Sequence, residues 1–84
     1  MLKIALIFML LLSLVNADQL SDLRTAFANA GSSSQRAEIL FEIAQIYEVN
    51  GQTKDAKLLY RRIIKNYSKS VNIVKKSQER LLKL

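Results

Sequence analysis

Residues 40–60 read LFEIAQIYEVNGQTKDAKLLY, and this stretch decides the fold. Apolar side chains recur at the spacing of an α-helix on both sides of a short polar loop over residues 50–53. The loop contains a helix-breaking glycine, Gly51, and Thr53 is a candidate N-cap for the helix that follows. We therefore predict two helices that fold back on each other as an antiparallel hairpin.

The helix before the loop is predicted to begin near Ser32, because Ser32 and Gln35 have the spacing of a capping box. It is apolar on two sides and needs neighbours on both. One side carries Ala37, Leu40, Phe41, Ala44 and Tyr47. The second side carries Ile39, Ile43 and Ile46. The narrow polar edge that remains consists of Glu38, Glu42, Gln45 and Glu48.

The helix after the loop is predicted from about Lys54 to Tyr67, with Asp55 in its first turn, where the helix dipole favours a negative charge. Its apolar face comprises Ala56, Leu59, Tyr60, Ile63, Ile64 and Tyr67. The opposite face is basic and comprises Lys57, Arg61, Arg62 and Lys65.

A short helix is predicted on each side of the hairpin. The preceding one carries Leu20, Leu23, Phe27 and Ala30, and Gly31 suits a left-handed C-terminal cap. The following one is capped by the serines around Lys69 and runs through Val71, Val74, Leu81 and Leu82. Two glycines, no proline and half of the residues apolar also favour helices. The expected fold is all-α, with about four antiparallel helices.

The spacing Leu40-x2-Ile43-Ala44-x2-Tyr47, followed by Ala56-x3-Tyr60, resembles the tetratricopeptide repeat (TPR) signature. The stretch from Tyr60 to Ser70 is similar to repeats of bacterial periplasmic TPR proteins, although Ser68 stands where those repeats usually have proline. The resemblance implies a protein-binding module. It also implies a set of repeat-packing residues: Leu40, Ile43, Ala44, Tyr47, Ala56, Tyr60 and Ile63. The alternative is a helical bundle of another kind that shares this spacing.

The first residues have the layout of a secretory signal peptide, because a basic residue precedes an apolar run over residues 4–15 and small residues follow it. Val15 and Ala17 fit the small pockets of signal peptidase. We therefore predict a signal peptide over residues 1–17 and a TPR-like domain over residues 18–84. The alternative is an uncleaved anchor, but the run falls short of the roughly 20 residues that cross a bilayer. No cysteine follows the run, so a lipid anchor is excluded.

Charge divides the chain. Residues 18–50 carry a net charge of −3 and residues 51–84 a net charge of +8. The basic half is either a solvated face that pairs with the acidic half or a surface for an anionic partner. Nucleic acid is not expected, because no aromatic side chains stand between the basic ones for base stacking.

Most chemistry is excluded by composition. The chain has no cysteine and no histidine, so it lacks thiolate and imidazole nucleophiles, bases and zinc ligands. Glu38 and Glu42 are one turn apart, but nothing near them in the sequence would separate their pKa values. We expect no enzyme activity, no metal, no cofactor and no small-molecule substrate.

The sequence predicts a small exported helical-repeat protein, periplasmic or secreted, that binds another protein of the cell envelope or itself. The alternative is a basic amphipathic protein that binds an anionic membrane surface or envelope polymers. The residues predicted to make the interaction are Lys57, Arg61, Arg62, Lys65, Leu81 and Leu82. Because little more than one repeat is present, we expect the terminal leucines and the Ile39, Ile43 and Ile46 side to stay partly uncovered without a partner.

Export is expected to remove residues 1–17, because the apolar run is short and a usable cleavage site follows it. Intact mass spectrometry of the protein recovered from outside the cytoplasm should give a chain that begins at Asp18. Recovery of the uncleaved chain from the membrane fraction would contradict this prediction.

Overall fold

A computed structural model describes residues 18–84, and the predicted signal peptide lies outside the described residues. Helix α1 covers residues 18–28. It is followed by α2 (Ser33–Val49), α3 (Thr53–Asn66) and α4 (Val71–Lys83). The predicted all-α class, the four helices and the helical hairpin are confirmed, and the described chain contains no strand.

Helix α2 begins with the predicted serine cap. Ser32 has an extended backbone, and its hydroxyl accepts a hydrogen bond from the backbone N–H of Gln35 at 3.2 Å. The side-chain oxygen of Gln35 accepts from the backbone N–H of Gly31 at 2.9 Å, one residue before the donor that a capping box uses. One backbone donor in the first turn of α2 and one just before the helix are satisfied in this way.

The left-handed cap forms at Gly51, at the end of α2. Gly51 has φ +76°, and its N–H donates to the carbonyl of Glu48 at 3.0 Å, while the N–H of Gln52 donates to the carbonyl of Tyr47 at 2.8 Å. These two bonds are those of a Schellman motif. The prediction of a left-handed cap at Gly31 is wrong, because α1 ends at residue 28 and Gly31 comes too late to occupy its C-terminal cap.

Two further cap predictions fail for local reasons. Gln52 occupies the N-cap position of α3, so Thr53 is already helical and the prediction for Thr53 is wrong by one residue. The Schellman motif holds Gln52 and turns the chain directly into α3. Ser70 is the N-cap residue of α4, but its backbone (φ −84°, ψ 70°) is not extended and its side chain makes no capping bond.

The core lies between α2, α3 and α4. Helix α3 packs against both α2 and α4, and α4 also touches α2. The ring of Phe41 meets that of Tyr60 at a centroid distance of 5.5 Å and an angle of 57°. The buried cluster consists of Leu40, Ala44, Ala56, Tyr60 and Ile63. Phe27 of α1 packs against this cluster, so the first helix belongs to the same core.

The second side of α2 is more covered than we expected. Ile43 and Ile46 are buried and Ile39 is half-buried. Leu81 of α4 and Leu84, the C-cap residue of that helix, pack against the core cluster. Ile43 and Ile46 are therefore covered without a partner, whereas Leu82 is exposed and Ile39, Leu81 and Leu84 are partly uncovered, as expected.

Val71 and Leu82 lie on the outer face of α4, since their side chains are 68% and 88% exposed. These residues are eleven positions apart, or about three helical turns, and so share one outer stripe. The inner face is formed by Ile73, Val74, Ser77, Leu81 and Leu84. The buried Ser77 is small enough for close packing against the neighbouring helices.

Ala44 and Ala56 are fully buried, one on each helix of the hairpin, so a larger side chain at either position should overpack the core. We expect Ala44→Leu and Ala56→Leu each to lower the free energy of unfolding by about 1 to 3 kcal/mol in urea titrations. Ala26→Leu, at an exposed position of α1, is the matched control and should leave it nearly unchanged. If both core variants have the same free energy of unfolding as the unaltered protein, the alanines do not set the spacing of the two helices.

Candidate interaction surfaces

The residues predicted to pack the repeat lie inside the molecule. Tyr47 is half-buried. The others are buried: Leu40, Ile43, Ala44, Ala56, Tyr60 and Ile63. They are therefore mainly structural residues, although Leu40, Ile43 and Tyr47 also line a groove that is open to solvent.

The residues predicted to make an interaction differ in their exposure. Arg61, Arg62 and Lys65 are exposed on α3, but Lys57 of the same helix is half-buried. Leu81 is half-buried against the core, and Leu82 is exposed on the other side of α4. Arg61, Arg62, Lys65 and Leu82 are therefore accessible to a partner, whereas Lys57 and Leu81 are partly covered.

Arg62 also lines an open apolar groove that runs between α1, α2 and α3. The groove has a volume of about 240 Å³, and the buried side chains of Leu40 and Ile43 form part of its lining. We call it the arginine groove, because two exposed arginines, Arg24 and Arg62, line it. The remaining lining residues are Phe27, Tyr47 and Leu59.

Arg24 is held in place by Tyr47, since its guanidinium donates to the phenol oxygen at 3.2 Å. Neither Arg24 nor Arg62 forms an ion pair with a carboxylate of the described residues. A guanidinium has several N–H donors and matches a carboxylate in a two-bond arrangement. The arginine groove can therefore accept an apolar side chain and hold a carboxylate next to it.

A different polar cluster ties three helices together. Glu48, at the end of α2, accepts hydrogen bonds from the Tyr60 hydroxyl of α3 and from the Arg80 guanidinium of α4. The Nε of Arg80 lies 3.2 Å from each carboxylate oxygen, and Glu48 is only 12% exposed. We call these three residues the Glu48 cluster.

The titration of the Glu48 cluster follows from these contacts. Hydrogen bonding to Arg80 lowers the pKa of Glu48 below its usual value, although partial burial opposes this. Burial raises the pKa of Tyr60, and the bond to the Glu48 carboxylate adds to this shift. The bond to Glu48 also raises the pKa of Arg80. The cluster therefore stays in its charged, fully bonded form at neutral pH and acts as a structural link.

Sequence reasoning missed Arg24 and Glu48. The sequence places Glu48 on the polar edge of its helix, but its partner Arg80 is 32 residues away, where no periodic pattern connects the two. Arg24 is the only basic residue in residues 18–28, and it lies next to the apolar side of α1. This position is a weak sign that the aliphatic part of the arginine side chain covers apolar surface.

The described residues contain no group of acidic, histidine or cysteine side chains that could hold a metal ion. None of the helices in residues 18–84 has the length and apolar character needed to cross a membrane. Glu38 and Glu42 are exposed on α2.

Because of Glu48, the free energy of unfolding should depend on pH. Its pKa is lower in the folded chain than the unperturbed value of 4.5, so its stabilising effect is complete above that value and is lost as the pH falls through the folded-state pKa. We expect Glu48→Gln to lower the free energy of unfolding by about 1 to 2 kcal/mol at pH 7 and by much less at pH 3. Urea titrations at both pH values measure this difference.

Glu42→Gln, at an exposed position of the same helix, is the control and should be nearly neutral at both pH values. If Glu48→Gln lowers the free energy of unfolding equally at pH 7 and pH 3, the charge of Glu48 does not contribute to stability.

Comparisons with protein-family models, curated proteins and solved structures found no match to this chain. The likeness to the TPR signature therefore rests on residue spacing alone.

Proposed function

We propose that this chain is a small exported helical-repeat protein that acts as a protein–protein interaction module of the cell envelope. Its central hairpin would be a TPR-like repeat, with α1 and α4 as flanking helices. The observation that carries the proposal is the arginine groove, where an open apolar lining is combined with Arg24 and Arg62, which have no carboxylate partner among the described residues.

The chemistry of the groove favours a protein ligand. Apolar surface that is open to water gains free energy when a partner's side chain covers it, at roughly 25 cal/mol per Å². The two guanidiniums provide directional bonds that fix the orientation of the partner. A segment with an apolar side chain beside an acidic one satisfies both features. The charge of +8 over residues 51–84 attracts such a partner from a distance.

The arrangement of the groove also favours this role over attachment to a membrane. A helix that lies on a membrane presents bulky apolar residues outward for insertion. Here the apolar residues Leu40 and Ile43 lie inside a concave surface, and the exposed lining is cationic. A concave apolar site with a few polar groups is typical of a ligand pocket.

Photo-crosslinking in cells tests this proposal. A photoreactive amino acid at Ser21, an exposed position one turn before Arg24, is expected to give an adduct with a discrete protein. The same amino acid at Gln78, exposed on α4, is the positional control and should not give that adduct. The Arg24→Gln/Arg62→Gln variant should reduce the Ser21 adduct tenfold or more.

Lys75→Gln/Lys83→Gln removes the same charge from exposed positions of α4 and should leave the adduct intact. Adducts with lipid only, or a protein adduct that survives the loss of both groove arginines, would refute an interaction through this groove. Thermal melts of each variant establish that the fold is retained.

A further inference from the structure

A second groove lies between α1 and α2. Its apolar lining consists of Ala26 of α1, Ala30 in the loop that follows, and the half-buried Ile39 of α2. The exposed Glu38 and Glu42 line it one helical turn apart. Its volume is about 290 Å³. For comparison, an apolar cavity of about 150 Å³ holds a benzene ring. This acidic groove therefore has room for one aliphatic side chain with cations on both sides of it.

The opposite kind of surface occurs on α3. The side chain of Leu58 is 61% exposed, although a leucine gains free energy by burial. Lys54 lies one turn before it and Arg61 one turn after it, and both are exposed. We call these three residues the Leu58 patch. It presents one aliphatic side chain between two cations.

We propose that the Leu58 patch of one molecule docks in the acidic groove of a second copy of this chain. The two surfaces are complementary in charge, since two cations meet two carboxylates, and in apolar character, since Leu58 meets Ile39. None of these four charged residues forms an ion pair within the described part of one molecule. All four are therefore available to another copy.

The interface joins two different surfaces, so a bound pair of molecules still offers one free patch on one copy and one free groove on the other. Such a head-to-tail contact continues into chains or closes into rings. The arginine groove takes no part in it. This inference therefore stands apart from the proposed function and can fail without it.

Exchange of charges between the two surfaces is a sharp test. Glu38→Lys/Glu42→Lys makes the groove basic, and Lys54→Glu/Arg61→Glu makes the patch acidic. In either variant alone the groove and the patch carry charges of the same sign, so each should be monomeric. In an equimolar mixture, every contact between unlike molecules pairs opposite charges. The mixture should therefore associate as the unaltered protein does.

Sedimentation equilibrium of the purified protein over a wide range of concentration measures this directly. The average mass of the unaltered protein should rise with concentration and fall when salt is added. Leu58→Ser should raise the dissociation constant tenfold or more without changing any charge. Each charge-exchange variant should raise the dissociation constant at least as much.

Matched controls carry equal changes of charge at exposed positions away from both surfaces. Asp18→Lys/Glu79→Lys corresponds to the groove variant, and Lys75→Glu/Lys83→Glu corresponds to the patch variant. Both controls should associate as the unaltered protein does. If the controls lose association to the same extent, the effect depends on net charge alone and the proposal is wrong.

Other outcomes also decide the matter. A protein that stays monomeric at every concentration, or a mixture of the exchanged variants that does not associate, would overturn the proposal. So would a monomer that co-sediments with vesicles of phosphatidylethanolamine and phosphatidylglycerol and loses this binding on Leu58→Ser, because the patch would then belong to a membrane surface.

Discussion

The close approach of α2 and α3 is the constraint on which the rest of the structure depends. Ala44 and Ala56 have no exposed surface, and side chains without atoms beyond Cβ let two helices come near each other. Tyr60, also fully buried, fills the space beside them. With the hairpin closed, α3 presents a fixed surface on its other side, and α4 packs against that surface.

A small helical domain needs specific links as well as apolar contact. The Glu48 cluster supplies one, because one carboxylate receives bonds from both of the other long helices. A charged group with so little exposure is costly unless it is paired, and here every partner is supplied by the fold. The cluster therefore favours the one arrangement in which Tyr60 and Arg80 meet at the end of α2.

The sequence was sufficient for the features that arise from local periodicity. The apolar spacing in residues 40–60 predicted the hairpin, and the serine cap of α2 followed from Ser32. Caps that depend on the preceding turn were not predictable in this way. The geometry around Gly51 decided that Gln52, and not Thr53, begins α3.

The candidate sites were harder to predict than the fold. Basic residues on α3 were evident from the sequence, but the arginine groove brings Arg62 together with Arg24, 38 positions earlier in the chain, across a third helix. Such groupings depend on how whole helices pack. A pattern that is read along one helix at a time does not contain them.

The separation of contacts along the chain has a consequence for the order of folding. The bond between Tyr60 and Glu48 spans 12 residues, whereas the bond between Arg80 and Glu48 spans 32. Shorter loops close at a lower entropic cost, so the hairpin is expected to form before α4 docks. The helix that arrives last is held by fewer partners and opens first in native-state fluctuations. Amide protons of α4 should then exchange with solvent sooner than those buried between α2 and α3.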